Sequence, residues 1–260
     1  MQQANALHWN GKFEIMGTSI DDVFFARSLA EQGLIPKDAF LIDLGAQEFN
    51  GGIDIFKLHD MMAQFLADDS FGKLSIRDFT KLRFSSQIFE LLGFKYLALD
   101  VYESKSSIVF DLNHDPVPDE LKGAGHLVQN FGTTEHVFNQ ANCFKVIHEL
   151  TSPNGGIMWH NLPMSDFFYH GFFKYDIKFF ERLLIANNYE LVHLRIDQAE
   201  GSMAVPDILF EKGLPPREPM DAGVNILLRR TSRAPFKFPL DYDGSKVDVE
   251  ELLEQGAVRA

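Results

Sequence analysis

The feature that most constrains this chain is a series of short apolar runs near its middle, bounded by turn signals. Two of them, 96–100 and 107–111, end on an acid, and a third covers 126–130. Such runs are typical of parallel strands that are covered on both faces. Ligands of open α/β sheets bind beyond the carboxyl ends of these strands. We therefore expect Asp100 and Asp111 to line one crevice.

Similar runs recur on both sides of this stretch and alternate with helical patterns. We predict strands at 39–44, 96–100, 107–111, 126–130, 157–160, 189–196 and 224–230. We predict helices at 84–92, 138–150 and 176–187, and a first helix that begins at the capping-box sequence Ser19-Ile-Asp-Asp22. The alternation predicts an α/β fold: a doubly wound, Rossmann-like seven-stranded sheet with a helical insertion after the first strand.

The length of 260 residues favours one domain with additions over two full domains. An N-terminal arm and helix over 1–38 precede an α/β domain over 39–230, and a polar, acidic tail over 231–260 follows. Residues 53–82 are interpreted as a helical insertion or lid, because the connection after the first strand is long for a crossover. Residues 201–223 are rich in Pro and Gly and are predicted to form a loop.

The charge balance limits the partners of this chain. With 24 Lys and Arg against 37 Asp and Glu, the formal net charge is −13. Nucleic acids and anionic membranes select clustered basic side chains, so we expect neither as a partner, and expect a small-molecule substrate instead. The segments 53–82 and 231–260 are candidate contact surfaces for a homo-oligomer.

The single cysteine, Cys143, excludes an internal disulfide and favours a reducing compartment. The sequence begins without a basic segment followed by an apolar run, and no apolar stretch is long enough to span a bilayer. We therefore expect a cytoplasmic protein.

The loop after the first predicted strand begins with Gly45, and a glycine there lets the backbone approach a ligand closely. The dinucleotide fingerprint Gly-x-Gly-x-x-Gly is absent, because Gln47 and Phe49 stand where further glycines would be. The phosphate-loop sequence Gly-Lys-Ser/Thr is absent as well, so a pyrophosphate site is not expected. The alternative for this loop is a tight turn that binds no ligand.

Asp100 and Asp111 each allow two interpretations. A carboxylate at the end of the second strand can accept hydrogen bonds from the two hydroxyls of a ribose, and Asp111 can accept one from the exocyclic amine of adenine. In the alternative interpretation, each acid caps the turn that follows its strand.

Several short motifs occur in the same order as in a known family. They are Ile42-Asp-Leu-Gly45, Leu99-Asp100, Phe110-Asp-Leu-Asn113, Asn130-Phe-Gly-Thr-Thr-Glu-His-Val137 and His170-Gly-Phe-Phe173. Over residues 39–230 the chain resembles class I S-adenosylmethionine-dependent methyltransferases, and most closely the subgroup with a Gly-Thr-x-Glu-His-Val motif. The resemblance implies S-adenosylmethionine as the cofactor.

The resemblance also implies a set of cofactor-binding residues. They are Asp43, Gly45, Gln47, Asp100, Val101, Asp111, Leu112, Asn130 and Gly132. Those after the first strand would approach the methionine part of the cofactor, and those after the second and third strands would hold the ribose and the adenine. Asn130 and Gly132 would line the site beside the sulfonium.

Four side chains are candidates for catalysis: Glu135, His136, His160 and His170. We expect His160 at the tip of the fifth strand, and His170 further on, to converge on the Glu-His pair. A histidine suits the role of a general base. In some methyltransferases a comparable pair with a further His binds a divalent metal, and these donors suit Zn²⁺ or Mn²⁺. The second upstream Glu of such sites is missing, so packing, capping or a general base is favoured over a metal.

The segment 166–176 is rich in aromatic side chains around Gly171. One interpretation is a loop stapled onto the core by its rings. The other is an acceptor pocket in which aromatic faces lie over the sulfonium or an apolar acceptor.

Methyl transfer from a sulfonium is an in-line displacement, which requires alignment of donor and acceptor but no covalent residue. The hypothesis that the resemblance favours is an enzyme, an S-adenosylmethionine-dependent methyltransferase that acts on a small-molecule acceptor. One alternative is a non-catalytic methyltransferase-like binding or partner subunit, suggested by Gln47 and Phe49 in the glycine loop. Another is a different nucleotide-linked enzyme of this fold, such as a nicotinamide oxidoreductase.

Overall fold

The computed structural model describes residues 17–47, 55–65, 82, 84–167, 169–198, 201–204 and 221–241. The predicted arm before residue 17, Phe49 of the glycine loop and the tail beyond residue 241 lie outside these residues. Of the predicted insertion 53–82, only residues 55–65 and 82 are described.

The first helix, α1, is Ile20–Glu31, and local hydrogen bonds explain its start. The Ser19 Oγ accepts the Asp22 N–H at 3.1 Å, and the Asp22 carboxylate accepts the Ser19 N–H at 3.0 Å. This reciprocal pair is the predicted capping box, with Asp in place of Glu, and it is confirmed. The helix ends just before Gly33, whose φ of 73° favours glycine.

Within the described residues, four further helices and eight strands follow. The helices are α2 (Ile55–Phe65), α3 (Ser85–Leu91), α4 (Gln140–Leu150) and α5 (Ile177–Asn187). The strands are β1 (Phe40–Leu44), β2 (Lys95–Asp100), β3 (Ser107–Val109), β4 (Leu127–Phe131), β5 (Gly156–Ser165), β6 (Glu190–Gln198), β7 (Gly201–Ala204) and β8 (Ala222–Arg230). Two short 3-10 helices, Asp119–Leu121 and Thr134–His136, lie before and after β4. No helix in this part of the chain is long and apolar enough to cross a membrane.

The strands form one mixed sheet in the order β3-β2-β1-β4-β5-β8-β6-β7. β1 to β5 are parallel, whereas β8 is antiparallel to both of its neighbours. The predicted doubly wound, Rossmann-like α/β sheet is confirmed, and each of the seven predicted strands is present. β7 is an additional edge strand that pairs with β6 inside the predicted loop 201–223. Its four residues are too few to show an alternating pattern.

Helices cover both faces of the sheet, as the alternation of buried side chains along β1 requires. Ile42 and Leu44 belong to a core cluster with Phe144 of α4 and Phe180 of α5. Leu41 points to the opposite face, where the core is built from α1, α2 and α3. The sheet is therefore buried on both sides, which explains the near-continuous apolar runs of its strands.

Helix α1 packs firmly on that second face. The ring of Trp159 in β5 meets the rings of Phe25 and Phe131 edge-on, at centroid distances of 5.0 and 4.8 Å. The Trp159 indole N–H donates to the Asn225 Oδ1 at 2.8 Å, so its polar atom is paired within the sheet. The domain boundaries predicted after residues 38 and 230 stay a prediction.

The strand order reverses between β1 and β4. From β1 the chain adds β2 and β3 on one side and then β4 and β5 on the other. The carboxyl ends of β1 and β4, at Leu44 and Phe131, therefore border the crevice in which open α/β sheets bind ligands. The loops that follow these strands, together with the end of β2, form the candidate site.

Candidate functional site

The loop after β1 holds Gly45 close to the loop after β4. Gly45 has a φ of 84° and donates its N–H to the Leu99 carbonyl at 2.8 Å. A Cβ at this position would lie 3.0 Å from the Thr133 Oγ1 and 3.3 Å from the Gln47 Nε2. Glycine alone suits both this backbone conformation and this close approach.

The Gln47 side chain spans the gap between the ends of β1 and β4. This is the switch point, where the strand order of the sheet reverses. Its Nε2 donates to the Phe131 carbonyl at 3.1 Å and to the Thr133 Oγ1 at 3.4 Å. The Thr133 hydroxyl in turn donates to the Leu44 carbonyl. The structure thus places Gln47 in the crevice, with its amide bound to protein atoms.

The Asp100 carboxylate joins the end of β2 to the loop after β1. Its Oδ2 accepts the Ala46 N–H at 2.8 Å, and its Oδ1 accepts the Tyr102 N–H at 2.9 Å. The second bond is the turn cap that was the alternative interpretation of this acid. Asp100 remains partly exposed, and a carboxylate oxygen accepts more than one hydrogen bond, so a ligand can still bind to it. The neighbouring Val101 side chain is 59% exposed.

Asp111 also caps the turn that follows its strand. Its Oδ1 accepts the backbone N–H and the side-chain amide of Asn113 at 2.8 and 3.0 Å. These bonds hold the pKa of the Asp111 carboxyl below its usual value, and the backbone bond has the larger effect. Leu112 is buried in the core, and its carbonyl accepts the Asn142 Nδ2 at 2.9 Å. A contact of either residue with adenine stays a prediction.

Asp43 lies beneath the crevice. Its side chain is fully buried, burial raises the pKa of its carboxyl well above the usual value, and the Tyr96 hydroxyl donates to its Oδ2 at 2.9 Å. The Tyr96 hydroxyl lies 3.4 Å from the Ser85 Oγ, and the Ser85 N–H donates to the Gln47 carbonyl at 3.1 Å. Asp43 therefore supports the loop after β1 from below.

Sequence reasoning missed Tyr96 and Ser85, the two partners that connect Asp43 to this loop. No motif marks them. The available signal is a tyrosine in an otherwise apolar strand, because a buried tyrosine hydroxyl needs a partner.

Asn130 and His160 form a fully buried pair within the sheet. The Asn130 Nδ2 donates to the Thr134 Oγ1 at 2.9 Å and lies 3.2 Å from the His160 Nδ1. Burial lowers the pKa of His160 to about 3, so this imidazole is neutral in the folded protein.

The prediction that His160 lies at the tip of the fifth strand is wrong. β5 continues to Ser165 and keeps its pairing with β8 beyond His160. The imidazole therefore lies in the middle of the strand and does not join Glu135 and His170. The sequence pattern does not show this continuation, because Pro163 is unusual in a central strand.

The loop after β5 is held against the end of β4. Beyond β4 the chain turns at Gly132, whose φ is 66°, into the second 3-10 helix. There the Glu135 carbonyl accepts the N–H groups of Phe172 and Phe173 at 2.8 and 3.2 Å. A Cβ on Gly171 would lie 2.9 Å from the Glu135 Cγ, so glycine is needed for this approach.

Glu135, His136 and His170 form one cluster at this contact. The Glu135 Oε1 lies 3.4 Å from the His170 Nε2 and 3.9 Å from the His136 Nε2. The two imidazole rings meet edge-on with their centroids 4.8 Å apart. The structure therefore brings these three side chains together, and their role in catalysis stays a prediction.

Burial determines the chemistry of this cluster. The Glu135 side chain is fully buried, which raises the pKa of its carboxyl to about 7. In the described part of the chain, neither of its oxygens has a hydrogen-bond partner, nor does the His170 Nε2. The His136 side chain is 45% exposed. The pKa of its imidazole is lowered, mainly by partial burial and to a smaller extent by the nearby His170. The cluster can exchange a proton near neutral pH or hold a cation.

The aromatic segment 166–176 divides between core and surface. Tyr175 is buried, and its hydroxyl donates to the Gln140 Oε1 at 2.6 Å. Tyr169 and Phe172 are 98% and 72% exposed. The C-terminal end of the segment is thus packed into the core, while Tyr169 and Phe172 lie on either side of His170 in the sequence and are exposed.

A cleft of about 470 Å³ lies at the opposite edge of the sheet, beside the amino ends of β4 and β5. His126 lines it together with residues 33–36 and 154–156. The His126 Nδ1 accepts the Phe40 N–H at 3.0 Å, so this imidazole takes part in strand packing. None of the predicted site residues lines this cleft.

No family model and no curated protein matches this chain. Among solved structures, the chain is similar to the crystal structure of the trans-methyltransferase CalH in complex with SAH, with a TM-score of 0.42 and 13% sequence identity. The match covers 78% of this chain and 54% of that one, so the chain spans about half the length of the CalH chain.

Proposed function

We propose that this protein is an S-adenosylmethionine-dependent methyltransferase that transfers the methyl group in line to a small-molecule acceptor. The observation that carries the proposal is the hydrogen bond from the Ala46 N–H to the Asp100 carboxylate at 2.8 Å. It fastens the end of β2 to the loop after β1, beside the switch point. A carboxylate and a glycine-led loop therefore meet at the edge where doubly wound sheets bind nucleotide-like ligands.

The proposed cofactor would lie across the ends of β1, β2 and β3. Asp100 would accept the ribose hydroxyls, because hydrogen bonds to an ionised group are stronger than neutral ones. Asp111 would lie beside the adenine, and Gly45 would allow the methionine part to approach the backbone. The sulfonium would then face Glu135 and His170.

The proposed acceptor is a small neutral or cationic molecule. The net charge of −13 disfavours a nucleic acid or an anionic membrane. Phe138, Tyr169 and Phe172 are exposed and would offer apolar contacts beside the cluster. Glu135 and His170 would contact the reacting group of the acceptor.

Titration calorimetry with S-adenosylmethionine and S-adenosylhomocysteine tests the cofactor site. We expect one molecule of either ligand to bind per chain. Asp100→Ala should weaken binding about 10- to 100-fold, the value of one or two hydrogen bonds to a charged group. The matched control is Asp38→Ala, which removes an exposed carboxylate that pairs with Lys95 at 3.3 Å, and it should bind like the wild type.

Two outcomes would contradict this assignment. A wild-type protein that takes up neither ligand would remove the cofactor from the proposal. Normal binding by Asp100→Ala would remove the ribose contact. Methyl transfer itself is measured as S-adenosylhomocysteine released over a panel of hydroxyl, amine and thiol acceptors.

The contacts of Gln47 favour a second candidate, a non-catalytic methyltransferase-like binding or partner subunit. The Gln47 amide and the Thr133 hydroxyl bind the strand ends at the point that the methionine part would approach. If the cofactor binds but no methyl group leaves it across the acceptor panel, this candidate replaces the first.

A further inference from the structure

We propose that Glu135, His136 and His170 bind one divalent transition-metal ion, for which Zn²⁺ is the representative. Each residue offers one ligand atom, and in the described part of the chain these atoms all lie within 4.8 Å of one another. The site goes beyond the proposed methyl transfer and does not rest on it, because it follows from the donor atoms alone.

The donor atoms have nearly the spacing of a coordination tetrahedron. With metal–ligand bonds of about 2.0–2.2 Å, two ligands of a tetrahedral ion lie about 3.4 Å apart. The Nε2 of His170 lies 3.4 Å from the Oε1 of Glu135, and the Nε2 of His136 lies 3.9 Å from the same oxygen. The ligand atoms of the two histidines lie within 4.8 Å of each other, so an ion between the three donors requires the imidazoles to draw closer.

The buried donors of this cluster make no hydrogen bond within the described residues. Both Glu135 oxygens and the His170 Nε2 are buried without a hydrogen-bond partner there. Among the described residues, the basic side chains with a nitrogen within 4 Å of the carboxylate are the two histidines of the cluster. A carboxylate that is held away from water without a hydrogen bond is unfavourable, and a cation between the three groups offsets that cost.

The ligands stand on a connected scaffold. The Phe172 N–H donates to the Glu135 carbonyl at 2.8 Å, which joins the two loops that carry the ligands. The Thr134 Oγ1, one residue earlier, accepts from the Asn130 Nδ2 at 2.9 Å and lies 3.0 Å from the Tyr175 hydroxyl oxygen. Such support orients metal ligands before the ion arrives.

The donor set selects the class of ion. Two imidazoles and one carboxylate suit Zn²⁺ and its first-row neighbours, whereas Mg²⁺ and Ca²⁺ prefer oxygen donors. Three protein ligands leave a position open for water or for an oxygen of a small molecule. The partly exposed His136 gives solvent access to the ion on that side.

Metal titration of the full chain tests the site. After treatment with EDTA and dialysis, calorimetry with Zn²⁺ should show one ion per chain, and Co²⁺ should give the visible absorption of a four-coordinate ion. Glu135→Gln and His170→Gln should each weaken binding at least about 10-fold, since even outer-shell changes cost 10- to 100-fold. Glu149→Gln and His114→Gln are the matched controls, and they should bind like the wild type.

Glu135→Gln keeps the shape of the side chain while removing a buried charge, so we expect it to fold, and circular dichroism verifies this. The proposal is overturned if the wild type binds no stoichiometric Zn²⁺, or if both cluster variants bind it like the wild type. Cofactor calorimetry on the metal-free protein tests the methyltransferase proposal separately, so the failure of one can be told from the failure of the other.

Discussion

A single glycine, Gly171, allows the loop after β5 to lie against the end of β4. A Cβ there would lie 2.9 Å from the Glu135 Cγ and 3.0 Å from its carbonyl oxygen. Because a backbone atom yields less easily than a flexible side chain, Gly171→Ala should displace the loop and lower the free energy of unfolding by about 1–3 kcal/mol. Urea unfolding followed by circular dichroism measures this change.

Gly33→Ala is the control that separates the cost of a steric contact from the cost of an unfavourable backbone conformation. Gly33 has a φ of 73° and open space around its missing Cβ, so an alanine meets only the backbone cost of about 1–2 kcal/mol. We expect Gly171→Ala, and not Gly33→Ala, to change the near-ultraviolet signal of the aromatic loop. An unchanged urea midpoint for Gly171→Ala would mean that the loop does not lie against Glu135.

The sequence predicts which acids and histidines lie near strand ends better than it predicts how deeply their side chains are buried. Glu135 and His170 occur in recognisable motifs, and the structure brings them together. Asp43 and His160 are of the same residue types, yet both are sealed inside the sheet. Their burial is set by neighbouring strands, through partners such as Tyr96, and a pattern along one strand does not contain that information.

Helix α1 depends on the hydrogen bonds of its first turn. Ser19→Ala removes the bond that the Ser19 Oγ accepts from the Asp22 N–H at 3.1 Å and the one that it donates to the Asp22 carboxylate at 2.6 Å. We expect the free energy of unfolding to fall by about 1–2 kcal/mol, the usual cost of losing such a cap. Urea unfolding should show a lower midpoint with an unchanged slope.

Ser28→Ala on the same helix is the matched control. The Ser28 Oγ donates to the Phe25 carbonyl at 2.7 Å within the helix, and alanine is the better helix former. Ser28→Ala should therefore change the free energy of unfolding by no more than about 0.5 kcal/mol. Equal losses for the two serine variants would contradict a special role of the cap.

Element boundaries can be predicted where local chemistry sets them. α4 and α5 begin directly after the capping side chains of Asn139 and Asp176, close to their predicted starts. β5 extends well past its predicted end, because its pairing with β8 continues to Pro163 opposite Gly223 before the register shifts. A proline lacks the N–H of a strand residue, so only the partner strand reveals this continuation.

The C-terminal end of the described chain is joined to the body of the molecule. Residues 231–241 belong to the segment that the sequence predicts as a polar tail. The Asn187 side chain donates to the Lys237 carbonyl at 3.0 Å and accepts its N–H at 2.8 Å, and Phe236 packs against the core cluster of α4 and α5. This docking has no periodic pattern, because its partners are side chains far away in the sequence, so it could not be predicted.

His148 of α4 is a second attachment of the same segment. Its Nε2 lies 3.1 Å from the Ala234 carbonyl, and its Nδ1 lies 2.6 Å from the Tyr189 hydroxyl. A carbonyl only accepts, so the Nε2 carries the proton and the Nδ1 accepts from the tyrosine. Burial, and then the charge of Arg230, lower the pKa of His148 to about 4. The folded protein therefore holds a neutral imidazole here at neutral pH.

Acid should weaken this attachment. An unfolded histidine titrates near pH 6.5, so between about pH 6.5 and 4 the unfolded chain binds a proton that folded His148 does not. The free energy of unfolding therefore falls as the pH falls through this window, by up to about 3 kcal/mol from His148 alone. Asp22, whose pKa burial raises to about 6, acts in the opposite direction, and its contribution is common to the wild type and a His148 variant.

His148→Gln cannot titrate and should lose less stability than the wild type between pH 7 and pH 4.5, because it lacks the proton that only the unfolded wild type binds. Urea unfolding at a series of pH values measures both proteins, and their free energies of unfolding should draw closer as the pH falls. The same series for Ser28→Ala, which changes no titratable group, should run parallel to the wild type. Parallel curves for His148→Gln would show that this imidazole is not held neutral between α4 and the segment 231–241.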